Sequence, residues 1–277
     1  MNATTGASLD YALSWRVRGR QPGAHRSASS GRGGRFVDCV PFERNPDPRR
    51  IDLRQSLRDP WQRLYVRQFE DRVLLRVQLL VDGSASMAQA DVAGPVADLC
   101  EAVTAAARQL GDHCGLVVAS NRLRFERRAA RSALPIGAAR RALQAHGPEG
   151  RGIDALHEAA TRLSGRRLVL LVSDFAFDAA RIERLFSALS AHDVVPIVAG
   201  AAEPDPLPRW GLAQMLDRET GQRRLLWLRP KLIAAWQAQR EARRQALDAI
   251  CARSGRRAWH LGDRFDASAL SAHLLSP

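Results

Sequence analysis

This sequence predicts an α/β fold, in which an open, mainly parallel sheet carries helices on both faces. Two observations indicate it. Nearly continuous apolar runs, typical of buried strands, occur at residues 73–81 and 168–173. They alternate with stretches whose apolar side chains recur every three or four residues, as in the helix expected at 92–110. Strands that alternate with helices favour a parallel sheet, because each helix returns the chain to the edge where the next strand starts.

The remaining elements continue this alternation along the chain. Apolar spacing and turn residues predict two hairpin-like pairs of strands, at 115–119 with 123–127 and at 212–216 with 224–228. The other expected elements are helices at 136–145, 153–163, 179–190, 231–252 and 266–275 and strands at 194–199 and 257–261.

The first 70 residues differ in character from the remainder. Residues 18–35 are rich in Gly, Ser and Arg and lack apolar periodicity, so they predict a basic arm that is a loop or becomes ordered on contact. Residues 49–57 fit a helix, which would align three arginines, and also fit a short strand. We therefore expect an N-terminal basic arm and a β-rich or irregular extension over residues 1–70, and the α/β domain over residues 71–277.

Length and composition limit the classes of protein. The 277 residues are 45% hydrophobic and 26% charged, which are proportions of a globular chain with one or two domains. The four cysteines lie far apart without a C-x-x-C pair, so neither a zinc site nor a disulfide framework is expected. The sequence shows no apolar signal core and no run near the roughly 20 apolar residues of a membrane span. A cytoplasmic protein without a membrane span is expected.

Positive charge is the most unusual property of the composition. The formal net charge is +13, and every basic residue except Lys231 is an arginine. The excess lies in the flanks, because residues 71–200 carry 16 basic and 14 acidic side chains. A nucleic acid or another anionic surface is one interpretation of these flanks. Neither flank contains a zinc-finger, aromatic ribonucleoprotein or basic-zipper pattern, which argues against nucleic acid as the partner.

Oxygen-bearing side chains follow two of the expected strands. Asp82, Ser84 and Ser86 occupy alternate positions after the first strand, and Asp174 follows the strand at 168–173. Ligands of open α/β sheets bind outside the carboxyl ends of strands, where these side chains converge if the two strands are neighbours. Mg²⁺ prefers oxygen ligands of this kind and retains waters. In the structural alternative, the serines cap the following helix and the aspartates only terminate their strands.

Two separated motifs extend this interpretation to a known family. The segments LLVDGSASM (79–87) and LVLLVSDF (168–175) resemble the von Willebrand factor A-like domain and its metal-ion-dependent adhesion site. The upstream sequence is similar to a bacterial family of unknown function whose genes accompany MoxR-type AAA+ ATPases. That family usually reads G-x-H-x-S-x-x-x-G-x-G and later D-x-R-x-I-D-W before the A-like domain. The matching residues are Gly23, His25, Ser27, Gly31, Gly33, Arg50, Ile51 and Asp52, with Leu53 in the place of the tryptophan.

The resemblance implies a function as well as a fold. It implies an interaction or adaptor protein that works with a MoxR-type AAA+ ATPase and a client protein, in assembly, maturation or metal loading of a partner enzyme. Residues 46–60 are most similar to a member encoded beside methanol dehydrogenase genes, which suggests that enzyme as the client. Many relatives carry membrane helices, whereas this sequence has no such segment.

One position departs from the adhesion-site pattern. The site normally adds a threonine in a G-T-D-like context, and the matching stretch here is Gly152-Ile153-Asp154. Isoleucine cannot ligate a cation. The resemblance therefore implies a metal site made by Asp82, Ser84, Ser86 and Asp174, completed by Asp154 or water, or a degenerate site that is a metal-free contact surface.

Enzymatic motifs are missing from the sequence. It contains no G-x-S-x-G nucleophile elbow, no G-x-x-x-x-G-K-[ST] phosphate loop and no H-E-x-x-H pair. We therefore expect a protein that is not an enzyme, with no catalytic residues and with Mg²⁺ as its one candidate cofactor.

Overall fold

The chain folds into two compact units, formed by residues 14–75 and by residues 1–13 together with 76–277. The structure is a computed structural model. It describes residues 9, 11, 22–26, 35–70, 72–88, 90–119, 122–130, 137–144, 153–200, 210–216, 222–253, 255 and 257–275. The sequence predicts a domain boundary after residue 70, and the chain passes from one unit to the other between Leu75 and Arg76.

The smaller unit contains two pairs of antiparallel strands and one short helix. Its elements are β1 (Pro22–Arg26), β2 (Arg35–Pro41), α1 (Leu53–Arg58), β3 (Tyr65–Glu70) and β4 (Arg72–Val73). β1 pairs with β4, and β2 pairs with β3. The strand β1 lies inside the expected basic arm, whose Gly, Ser and Arg content does not predict it. The other arm residues from 18 to 34, including Ser27, Gly31 and Gly33, lie outside the described residues.

The stretch that fits both a helix and a strand forms parts of each. A 3₁₀ turn at Pro48–Arg50 is followed by Ile51, which makes an isolated antiparallel bridge with Val66, and then by α1. Asp52 starts α1 because its carboxylate accepts a hydrogen bond from the Gln55 N–H at 3.1 Å. Arg67 of β3 donates to the same carboxylate at 2.7 Å and, with the Gln55 N–H, lowers the pKa of Asp52. Asp52 therefore connects the helix to the strand pair.

The larger unit alternates strands and helices as the sequence predicts. Its elements are β5 (Arg76–Asp82), α2 (Ala90–Leu110), β6 (His113–Ala119), β7 (Leu123–Ala130), α3 (Ala138–Gln144), α4 (Asp154–Thr161), β8 (Leu168–Ser173), α5 (Ala179–Ala188), β9 (Asp193–Ala199), β10 (Gly211–Leu216), β11 (Arg223–Leu228), α6 (Pro230–Arg253), β12 (Trp259–Leu261) and α7 (Ala267–Leu275). Each lies within a few residues of its predicted position.

Six of these strands form one mainly parallel sheet, which confirms the predicted fold class. The strand order is β12-β9-β8-β5-β6-β7, and every neighbouring pair is parallel except β6 with β7. The predicted hairpin-like pairs are also present, because β6 with β7 and β10 with β11 are antiparallel.

The sheet is buried on both faces by helices. All residues of β8, and all residues of β5 after Arg76, are buried, as expected for central strands of a covered parallel sheet. On one face, α4, α5 and the end of α6 pack over Leu80 and Leu171 in a single apolar cluster. The helices α2 and α3 pack against each other and against β6. None of the described helices combines the length and apolar character that crossing a bilayer requires.

Three of the four cysteines are buried. Cys100, Cys114 and Cys251 lie inside the larger unit, and Cys39 of the smaller unit is half-buried. Burial raises the pKa of the Cys114 thiol to about 11. These thiols are therefore protonated at neutral pH and act as small apolar side chains.

We predict that Gly115→Ala destabilises the larger unit by about 1–3 kcal/mol. A Cβ at this position would lie 2.7 Å from the Ala129 backbone nitrogen and 2.7 Å from Gln78 Oε1. Gly262→Ala is the control, since nothing lies within 4 Å of its Cβ position and Gly262 is exposed. This control should change the free energy of unfolding by less than about 0.5 kcal/mol. Urea denaturation measures both values, and equal effects of the two variants would contradict the packing argument.

Candidate functional site at the carboxyl ends of β5 and β8

The strand order places a topological switch point between β5 and β8. The chain leaves β5 for β6 and β7 on one side of the sheet, and then continues with β8, β9 and β12 on the other. The connections after β5 and β8 therefore diverge, which leaves a crevice at the carboxyl ends of these two strands. Asp82 ends β5, and Asp174 directly follows β8. The sequence argument requires these strands to be neighbours, and they are.

Asp82 is the buried centre of this crevice, with 1% of its surface exposed. One carboxylate oxygen, Oδ1, accepts a hydrogen bond from the Ser84 N–H at 2.8 Å. The other, Oδ2, accepts from the Ser173 hydroxyl at 2.6 Å. The side chain thus joins the loop after β5 to the end of β8.

The two motif serines contact each other. Ser84 is buried, Ser86 is half-buried, and their hydroxyl oxygens are 3.0 Å apart. The loop is held in place because the Gly83 N–H donates to the Ala119 carbonyl at the end of β6. A 3₁₀ turn at Ala85–Ala88 directly follows Ser84, and its Met87 N–H donates to the Ser84 carbonyl at 3.1 Å. The helix α2 begins only at Ala90, so neither serine is the N-cap of α2, whereas Ser84 does stand at the start of this turn. The capping alternative therefore stays open for Ser84.

Asp174 lies on the solvent side of the crevice. It is half-buried, and its Oδ1 accepts from the Ala176 N–H at 3.0 Å. The next residue, Phe175, is buried and has a φ of 51°, a left-handed conformation that a bulky residue adopts at a cost of about 1–3 kcal/mol. The Phe175 N–H donates to Ser173 Oγ at 3.0 Å, which helps to hold this turn.

Ser173 is the site residue that the sequence reasoning misses. It is the last residue of a buried strand, and its hydroxyl connects Asp82 Oδ2 to the Phe175 N–H. The signal for it is the strand register, which pairs Val81 with Val172 and so brings the next residues, Asp82 and Ser173, side by side. Sequence alone does not reveal that register.

Burial and charge act together on the Asp82 carboxyl. Desolvation and the negative charge of Asp174 raise its pKa to about 7, against hydrogen bonds from Ser173 and Ser84 that favour the charged form. Among the described residues, no basic side chain is one of the groups that shift it. The site thus holds a carboxyl group that is stabilised either by a proton or by another cation.

The position of the missing threonine is apolar in the structure as well. Ile153 is 3% exposed and precedes α4 without a side-chain cap, and it belongs to the same apolar cluster as Phe175. Asp154 is exposed, and Gly152 lies outside the described residues. Within the described part of the chain, no group of three or more His, Cys, Asp or Glu residues could hold a metal ion.

The donor chemistry of the four predicted residues suits a hard cation. Asp82, Ser84, Ser86 and Asp174 offer only oxygen atoms, and the acidic groups lie close enough for one to perturb the other. With two carboxylates and no third, such a cation would keep several waters. These residues can therefore hold a weakly bound Mg²⁺ or contact a partner directly.

Comparison with known proteins assigns the chain to a family. Residues 42–253 match the family described as "Protein of unknown function DUF58". The chain belongs to this family. The match covers the candidate site residues from Asp82 to Asp174 and also residues 42–75 of the smaller unit. No activity is attached to the family description.

Individual relatives of this DUF58 protein are distant or partial. A protein of Paracoccus denitrificans, "Uncharacterized protein in moxR 3'region", is 39% identical over 82 residues, which are 29% of this chain and 77% of that protein. An aerotolerance-related membrane protein from Bacteroides fragilis is 18% identical, with a TM-score of 0.44 over 72% of this chain and 98% of that one. The conserved hypothetical protein BatB from Bacteroides thetaiotaomicron is 15% identical, with a TM-score of 0.43 over 72% and 97%.

We predict that Asp82→Asn stabilises the protein by about 4 kcal/mol at pH 8 in the presence of a chelator, because each unit by which the folded pKa exceeds the unfolded pKa costs about 1.4 kcal/mol. The folded pKa of Asp82, about 7, exceeds the value of about 3.9 expected in the unfolded chain. The folded state therefore binds more protons between pH 4 and 7, and its stability falls as the pH rises through this range. Asparagine has no carboxyl group to ionise, so the variant does not lose this stability as the pH rises.

Urea denaturation at pH 4.5 and at pH 8 measures this effect. The gain should be small at the lower pH, where most of the Asp82 carboxyl is protonated in the fold. Asp263→Asn is the control, because Asp263 is exposed. A stability difference between wild type and Asp82→Asn that does not change with pH would contradict the prediction.

Proposed function

We propose that this protein is a non-catalytic interaction protein that works with a MoxR-type AAA+ ATPase. In this proposal the larger unit is a von Willebrand factor A-like domain, and the crevice around Asp82 is its metal-ion-dependent adhesion-like site. The client is an enzyme whose assembly, maturation or metal loading the ATPase drives, with methanol dehydrogenase as the first candidate.

One observation carries the proposal. A buried carboxylate, Asp82, ends a central strand at the switch point of the sheet, next to Asp174 and two hydroxyls, and no basic side chain in the described part of the chain balances it. Buried charges without a partner are destabilising, so a fold retains such a group where a ligand compensates it. The lack of a recognisable nucleophile and base among these residues favours binding over catalysis.

The strand order of the sheet and the family match also support the proposed domain and partner. When the six strands of the sheet are numbered in chain order, with β5 as strand 1 and β12 as strand 6, their order across the sheet is 3-2-1-4-5-6. Strand 3, which is β7, is antiparallel to its neighbour. The D-x-S-x-S residues follow strand 1, and Asp174 follows strand 4. The family match and the naming of the Paracoccus relative after the moxR region support the ATPase as the partner.

Each residue of the proposed site has its own role in binding. Asp82, Ser84, Ser86 and Asp174 would hold Mg²⁺, which supplies an open coordination position for an acidic side chain of the partner. Ser173 orients Asp82 by its hydroxyl, and the Ser84 N–H fixes the other oxygen. The strained Phe175 turn keeps Asp174 at the rim of the crevice. Ile153 lowers the cation affinity because it offers no oxygen, which leaves a metal-free contact as the alternative form of the same site.

We predict that Asp82→Ala and Asp174→Ala each weaken the complex with a MoxR-type ATPase of the same genome at least tenfold. Both variants remove a carboxylate that the contact uses, directly or through a cation. Affinity is measured by biolayer interferometry after co-expression, with circular dichroism as the check of folding. Asp263→Ala, at an exposed position after the edge strand β12, is the control. Wild-type protein that forms no complex, or affinities that are equal in all four proteins, would count against the proposal.

We also predict that Ile153→Thr tightens Mg²⁺ binding by at least fivefold. Threonine restores a hydroxyl at the position where the adhesion-site pattern has one, and it can cap α4. Ile153→Val is the matched control, because valine has nearly the shape of threonine without the hydroxyl. Isothermal titration with MgCl₂ compares the two variants. If valine and threonine give the same affinity, Ile153 is not at the metal position and the metal-free contact is the better description.

A further inference from the structure

A second polar cavity begins at the amino-terminal end of β5, opposite to Asp82, and extends along β7 as far as Leu123. Its volume is about 690 Å³, which is within the range of small-molecule sites. The first residues of β5 and β6, Arg76 and His113, line it, and so do residues along α4 and the loop before β8. None of the four motif residues touches it. An inference about this cavity is therefore independent of the proposed function.

The floor of the cavity is polar because the buried side chain of Gln78 forms part of it. Gln78 is 2% exposed in the middle of a strand that is otherwise apolar between Arg76 and Asp82. It pairs in register with Gly115, and its Oε1 lies 2.7 Å from the place where a Gly115 Cβ would be. The missing side chain of Gly115 thus makes room for a buried carboxamide. A buried carboxamide persists where it has hydrogen-bond partners, and Arg167 supplies one.

Neutral acceptors hold Arg167 at the edge of this floor. Its Nη1 donates to Gln78 Oε1 at 3.4 Å, and its Nε and Nη2 donate to the Ser164 carbonyl at 3.2 and 3.1 Å. Burial, and the positive charge of Arg76, lower the pKa of the half-buried Arg167 guanidinium. Arg76 is exposed and lies next to the turn at Gly165. Two guanidinium groups are therefore neighbours in one cavity.

The acidic residues of the cavity do not compensate these two arginines. Glu126 forms an ion pair with Arg128, and Glu158 forms one with Arg162. Within the described part of the chain, neither Arg76 nor Arg167 forms an ion pair. The cavity lining contains five arginines against two glutamates. Arg76 and Arg167 thus remain for a ligand to balance.

We propose that this cavity binds the phosphate group of a small phosphorylated molecule between Arg76 and Arg167. A phosphate monoester carries a charge of about −1.5 to −2 at pH 7, which matches two guanidinium groups. Guanidinium donors fit phosphate oxygens in paired hydrogen bonds. Apolar side chains on the walls give the organic part of the molecule a surface to pack on, and they include Val117, Leu123, Ala155, Ala159 and Leu163.

Isothermal titration of the full chain tests the proposal. The probes are inorganic phosphate, ribose 5-phosphate and AMP, with succinate as a dianion that lacks phosphorus. We expect saturable one-to-one binding of at least one phosphate probe, and tighter binding of that probe than of succinate. Arg76→Gln and Arg167→Gln should each raise its dissociation constant at least tenfold. Arg184→Gln is the control of equal charge, since Arg184 is an exposed residue of α5 outside the cavity.

These outcomes distinguish binding in the cavity from nonspecific attraction of anions to a positively charged protein. No saturable binding of any phosphate probe, or an equal loss in Arg184→Gln, would overturn the proposal. Binding of succinate as tight as that of the best phosphate probe would overturn the assignment of phosphate. Arg76 is exposed, so its variant keeps the test valid if Arg167→Gln fails to fold. Asp82→Ala should leave phosphate binding unchanged, which distinguishes failure here from failure of the ATPase proposal.

Discussion

The hydrogen bonds that hold the buried carboxylate of Asp82 are the constraint on which the larger unit depends. They run from the Ser84 N–H and the Ser173 hydroxyl, so a single side chain joins the loop after β5 to the end of β8. Removal of either donor would leave a carboxylate oxygen buried without compensation. The same bonds compete with burial and with Asp174, and the result is a pKa of about 7. The charge of this group therefore responds to pH and to whatever binds at the crevice.

A parallel sheet explains why the two polar regions lie where they do. Its carboxyl ends bring Asp82 and Asp174 to one edge, and its amino ends bring Arg76 and the residues before β8 to the other. The apolar residues between them, such as Leu79 and Leu170, are buried on both faces and keep these ends apart. One end of the sheet is rich in carboxylates and hydroxyls, whereas the other is rich in guanidinium groups. The two proposed binding regions are therefore independent of each other.

The one departure from the adhesion-site pattern has a physical consequence of its own. Ile153 packs in an apolar cluster where that pattern has a hydroxyl ligand, so the proposed site has fewer oxygen donors. Phe175, beside Asp174, belongs to the same cluster and adopts a positive φ that glycine would adopt without strain. In the proposed function, contact with a partner through a weak cation site, or without a cation, follows from Ile153.

Local sequence patterns determined the elements of the larger unit and the identity of four of its candidate site residues, because apolar periodicity and strand-end positions depend on near neighbours in the chain. The mainly parallel sheet follows from those patterns, whereas the convergence of Asp82 with Asp174 also requires that β5 and β8 are neighbours, which the structure shows. Only the tertiary structure decided the features that join distant segments. The pairing of Ser173 with Asp82 depends on the register between β5 and β8, the strand at Pro22–Arg26 depends on its partner β4, and the meeting of Arg76 with Arg167 depends on the Gln78 floor. These contacts depend on how far-apart segments pair, and no local pattern specifies that pairing.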